Sequence, residues 1–76
     1  MRFKMEINYP EMDEGREVEV EESYLQEGLV VYYTIIPSIA MSGNFKRQEA
    51  LKNFHGVITK REYDGLAYYL TVGFDE

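Results

Sequence analysis

The sequence predicts a small α+β domain: five strands, mostly antiparallel, closed or curled into a barrel-like sheet, with one short helix between the third and fourth strands. Three observations carry this reading. Apolar residues fall at every second position on either side of Asp64-Gly65 in "GVITKREYDGLAYYLTVGF", the pattern of a half-buried hairpin. The same period of two runs through residues 2–9 and 17–21. Between the strand-like segments, "NFKRQEALKNF" has the composition of a helix. A chain of 76 residues makes one domain, because a shorter half of it could not bury a core of its own.

The elements follow in order. Phe3, Met5, Ile7 and Tyr9 alternate with Arg2, Lys4, Glu6 and Asn8, which predicts a first strand over 2–9 with one wet face. Pro10 cannot donate to a ladder, and "PEMDEG" has turn composition, so residues 10–15 form a loop. "REVEVEE" restores the alternation, with Val18 and Val20 inward and Glu17, Glu19 and Glu21 outward. "SYLQEG" reads as a single helical turn, with Ser23 as cap and Gly28 as the left-handed close. "LVVYYTII", residues 29–36, is apolar on both faces and predicts the central strand, ended by Pro37. Residues 38–43 connect it to the helix over 44–54, where Asn44 caps and the alternative is an irregular arm.

The closing ribbon pairs 55–62 with 66–74. Leu66, Tyr68, Leu70, Val72 and Phe74 share its apolar row. Two turns are open at its tip: Asp64-Gly65 as the centre of a two-residue loop, or Tyr63-Asp64-Gly65 as a three-residue loop. The first sets Val57 against the apolar row and the second Ile58, since a one-residue slip flips a strand. The whole succession resembles the OB-fold, a five-stranded Greek-key barrel with a helix between strands three and four. An SH3-like barrel, or an open curled sheet crossed by one helix, fits nearly the same string.

Charge is distributed unevenly along this string. From Glu6 to Glu27 nine acids stand against Arg16, a local charge of −8; from Asn44 to Arg61 five bases stand against Glu49, a local charge of +4. The net charge of −6 opposes unspecific phosphate binding. There is no cysteine, hence no disulfide and no thiolate metal site, which fits a reducing, cytoplasmic setting. No stretch reaches the roughly 20 apolar residues of a membrane helix, and the start lacks the apolar middle of a signal peptide.

Catalytic chemistry is poorly supplied. His55 is the single histidine, and Ser23, Ser38 and Ser42 lie in no nucleophile-elbow context. The acidic turn at Glu11, Asp13 and Glu14 lacks the offsets and flanking helices of a calcium loop. No cofactor or metal is therefore expected, and the chain reads as a non-catalytic domain that contacts another macromolecule, a protein partner or a second copy of itself. The candidate contact residues are Glu17, Glu19 and Glu21 on the acidic strand and Lys46, Arg47, Lys60 and Tyr69 in the basic, aromatic half. Two alternatives use the same residues. One is a single-strand nucleic-acid binder that stacks bases on Phe45, Tyr68 or Tyr69 beside the cations of 44–61. The other is an acidic mimic of DNA, because carboxylates on alternate strand residues stand roughly 6.5 to 7 Å apart, near the phosphate repeat of one strand.

Overall fold

A computed structural model describes residues 1–36 and 40–74. The described residues form seven strands: β1 Arg2–Met5, β2 Glu17–Leu25, β3 Val30–Ile35, β4 Ala40–Ser42, β5 Phe45–Lys46, β6 His55–Tyr63 and β7 Tyr68–Phe74. Every pairing is antiparallel. The hydrogen-bonded order β2-β6-β7-β1-β4-β3 returns to β2 through the β2–β3 ladder, which closes a six-strand barrel. The short β5 continues along β3 where β4 leaves it, opposite Val30 and Val31.

Alternation explains the closure. Phe3 and Met5, Val18 and Val20, Val31, Tyr33 and Ile35, and Leu70 and Val72 point inward and are buried, while their neighbours face out. Met12, from the loop after β1, is also part of this core. Among the described residues no buried side-chain nitrogen or oxygen lacks a hydrogen-bond partner, so burial carries no uncompensated polar cost. Close approach at the start of β6 depends on Gly56, paired with Val18 and Phe74. A Cβ there would stand 2.7 Å from the Gly73 carbonyl oxygen, too near for any side chain.

Several sequence expectations are corrected. The barrel has six strands rather than five, and the described residues contain no α-helix. At 44–54 the helix-forming composition yields to β5 and a single 3-10 turn over Arg47–Glu49, because pairing with β3 holds the segment extended where an isolated short helix has little stability of its own. The first strand stops at Met5, and Ile7 is exposed. Ser23 lies within β2 rather than capping a helical turn; only Gln26–Gly28 turn. β3 is covered on one face, with Val30, Tyr32 and Thr34 half-buried on the outer one. The connection at 38–43 contains β4, while Pro37, expected to end the strand, and Ser38 lie outside the described residues.

The ribbon tip uses neither expected turn. Tyr63 pairs with Tyr68 across a four-residue loop, Asp64 to Ala67, and Leu66 is 90% exposed instead of buried. The Asp64 side chain explains this geometry: its Oδ1 accepts hydrogen bonds from the Leu66 N–H at 2.8 Å and the Ala67 N–H at 2.9 Å. These bonds hold its carboxyl below the ordinary carboxylate range. A group whose folded pKa is depressed stabilises the fold above its unfolded pKa, near 3.9, and loses that contribution as pH falls through the folded value. Acid titration of unfolding should therefore show a fall in stability below about pH 4 that is smaller in Asp64→Asn. An identical acid limb in both proteins would refute this role.

Candidate functional site

The strand β2 presents two faces of opposite purpose. Val18 and Val20 enter the barrel. Its odd residues, Glu17, Glu19 and Glu21, form an exposed outward column, with alternate side chains roughly 6.5 to 7 Å apart. Because β2 is hydrogen-bonded to β3 on one side and β6 on the other, the column offers side chains rather than a free strand edge. Its flanks are half-buried: Thr34 and Tyr32 on β3, opposite Glu21 and Ser23, and His55 and Val57 on β6, opposite Glu19 and Glu17. Glu17 Oε1 lies 3.5 Å from His55 Nε2.

The inward row of β2 continues past Val18 and Val20 to Glu22, at the end of the barrel nearest the β2–β3 turn. A carboxylate there needs partners. Glu22 accepts hydrogen bonds from the Tyr24 hydroxyl through Oε1 and from the Tyr33 hydroxyl through Oε2, both at 2.6 Å. The Tyr33 hydroxyl in turn accepts the Leu51 N–H at 2.7 Å, and its ring lies between Phe45 and Phe54, with centroids 6.3 and 6.2 Å away. The Glu22 carboxylate, by its hydrogen bond and its charge, raises the Tyr24 hydroxyl above the ordinary tyrosine range, so Tyr24 stays a proton donor. Both carboxylate oxygens are engaged, and through the Tyr33 hydroxyl the cluster holds the backbone at Leu51. The turn beside it is left-handed at three successive residues, Gln26 (φ 50°), Glu27 (φ 57°) and Gly28 (φ 89°). Such backbone matches the twist of a tight hairpin, and it leaves Leu25 and Leu29 exposed on either side.

At the other end of the barrel an inward cation replaces the inward acid. A bulge at Thr59 shifts the register of β6 between Ile58 and Lys60, so that Ile58 opposite Val72 and Arg61 opposite Leu70 share the inner face. Arg61 Nη1 donates to the carbonyls of Tyr9 at 2.9 Å and Met12 at 2.7 Å, and Nη2 to Asn8 Oδ1 at 2.7 Å. Its guanidinium lies 4.6 Å from the centroid of Tyr68, which stacks on Tyr63 at 4.5 Å. This arginine latches the loop after β1 onto the ribbon.

The structure disperses the cations that the sequence collects. Lys46, on β5 opposite Val30, and Arg47, whose Nη1 lies 3.2 Å from where a Cβ on Gly28 would stand, are at the β2–β3 end. Lys60 belongs to the other hairpin, with its ammonium 3.7 Å from Glu62. Tyr69, opposite Lys4 and Glu62, is covered by the Arg2 guanidinium at 4.0 Å. Thus Glu17, Glu19 and Glu21 come together as expected, whereas Lys46 and Arg47 do not join Lys60 and Tyr69. Sequence reasoning missed the Glu22 cluster, although an even row running Val18, Val20, Glu22 signals an acid that requires a partner. It also missed Arg61, whose inward turn depends on the bulge.

Among the described residues no three of His, Asp and Glu are grouped so as to hold a metal ion, and no helix is long and apolar enough to cross a membrane. Compared with family models, with curated proteins and with solved structures, the chain matches none of them.

Proposed function

We propose that this is a non-catalytic, cytoplasmic protein-contact domain whose contact face is the outer surface of β2. One observation carries the reading: Glu17, Glu19 and Glu21 form an ordered column on a strand fixed from both sides, flanked by half-buried Tyr32 and Val57. Side-by-side carboxylates repel and add nothing to folding, while apolar flanks supply area that a partner can cover. The nucleic-acid alternative is weakened by geometry, since Arg61 is turned inward, Lys60 faces Glu62, and Tyr69 lies under Arg2. Mimicry of DNA asks for a second ordered row of acids beside the first, and the strands next to β2 present Thr34 and Val57 there.

The test replaces all three acids with glutamine. The triple variant should melt at the same or a higher temperature, because repulsion is relieved. A protein retained from lysate by the immobilised wild-type chain should survive nuclease treatment and be lost with the variant. Retention abolished by nuclease would instead favour the nucleic-acid reading, and unfolding of the variant would show the acids to be structural.

A further inference from the structure

The strand diametrically opposite the acidic column turns two cations outward. Going round the barrel in either direction, β1 lies three strands from β2. Its inward residues are Phe3 and Met5; its outward residues are Arg2 and Lys4, both exposed. Beside them stand Met41, opposite Lys4 and 51% exposed, and Tyr69, also opposite Lys4. Two acids border this face: Glu6, at 3.8 Å from the Lys4 ammonium, and Glu62 on β6, opposite Tyr69 and 3.7 Å from the Lys60 ammonium.

We propose that β1 of one copy docks on β2 of a second copy, an inference that rests on the protein-contact reading above and names its partner. The match is in charge and in spacing. Arg2 and Lys4 stand two positions apart on an extended strand, as do Glu17 and Glu19 and Glu19 and Glu21, so two cations meet two of three carboxylates in either of two registers at the same repeat of roughly 6.5 to 7 Å. Apolar flanks meet as well: Met41 on the basic side, Tyr32 and Val57 on the acidic side. The net charge of −6 repels two copies at long range, but at physiological salt the Debye length is only about 8 Å, so that repulsion is screened more than pairs in contact. The two patches differ, so the interface is heterologous, and every docked copy leaves one acidic and one basic face free. Assembly is therefore head-to-tail and grows with concentration. A contact built on two exposed ion pairs is weak and transient.

Charge exchange tests it. One variant carries Arg2→Glu and Lys4→Glu; the other carries Glu17→Lys, Glu19→Lys and Glu21→Lys. Sedimentation equilibrium should show the wild-type apparent mass rising up to about 1 mM and falling back in about 1 M salt, where the Debye length is ~3 Å. Each variant alone should remain monomeric, since its two faces then carry one sign. An equimolar mixture should associate again. If either reversed variant fails to fold, the neutral pair Arg2→Gln and Lys4→Gln replaces it and should abolish the mass increase. Wild-type chain that is monomeric at about 1 mM, or a β1 variant that associates as the wild type does, overturns the inference. A monomeric wild type that still captures a protein through Glu17, Glu19 and Glu21 also overturns it, while leaving the contact reading intact. A monomeric chain that binds a synthetic peptide with lysine at alternate positions assigns the column to a foreign cationic partner instead.

Discussion

Truncating Leu70 to alanine should lower the free energy of unfolding by about 2 to 5 kcal/mol. Leu70 is fully buried on β7, with Phe3 of β1 opposite it on one side and Arg61 of β6 on the other. Removing three carbons there costs their transfer energy and leaves a cavity bounded by strands that are hydrogen-bonded around a closed ring and cannot collapse freely. At roughly 0.05 to 0.15 kcal/mol per residue, a chain of this length has about 4 to 11 kcal/mol in total. The variant is therefore expected to be near the edge of folding at room temperature. Leu66→Ala is the matched control, four residues away on the same alternation but 90% exposed, and should change stability by less than about 0.5 kcal/mol. Urea unfolding with an unchanged slope measures both. A Leu70 loss below about 0.5 kcal/mol, or a Leu66 loss as large as that of Leu70, would invert the assignment of faces.

That pair of leucines also shows what the sequence could and could not disclose. Period-two alternation identifies the inward residues of β1, β2 and β7, because a side chain's face depends only on its parity while the strand lasts. Where strands stop is set by other contacts. Leu66 continues the parity of Leu70 but falls in a turn organised by the Asp64 carboxylate, and Ile7 continues the parity of Met5 beyond the end of β1. Residues 44–54 are misread for a related reason: good helix formers are held by pairing of Val30 with Lys46 and by the Tyr33 hydroxyl on Leu51, both long-range contacts that override local preference.

Charge was the least legible quantity. Linear sums place the cations at 44–61, yet the fold turns Arg61 inward, sets Lys60 beside Glu62, and puts its opposed basic face on Arg2 and Lys4. In the sequence those two residues are merely the wet side of a first strand. The acidic column survives the translation from sequence to surface because all three of its members lie on one strand, where spacing along the chain is also spacing in space. The basic patch does not, because its members are divided between β5, a 3-10 turn and β6, where Lys60 and Arg61 are consecutive residues on opposite faces of the strand.

Replacing Arg61 with alanine should cost roughly 2 to 4 kcal/mol, on the scale of one or two hydrogen bonds with a charged partner at about 1.5 to 3 kcal/mol each. The guanidinium joins three points of the loop after β1, the carbonyls of Tyr9 and Met12 and the side chain of Asn8, to a strand some fifty residues later. Met12, only 3% exposed, depends on that anchoring to stay in the core. Without it, the two carbonyls lose a cation and the face of Tyr68 loses its cover. Lysine should recover less than half of the loss, because a single ammonium cannot reproduce the planar fork that reaches all three acceptors. Hydrogen exchange separates this local role from a general weakening. The Met12 N–H, bonded to the Tyr9 carbonyl, and the Gly15 N–H, bonded to the Ile58 carbonyl, should exchange much faster in Arg61→Ala, while the Val20 N–H, bonded to the Phe54 carbonyl away from this loop, should change only by the loss of global stability. Equal acceleration at all three amides, or full rescue by lysine, would show that Arg61 contributes charge and bulk and that the loop is held by its own turn.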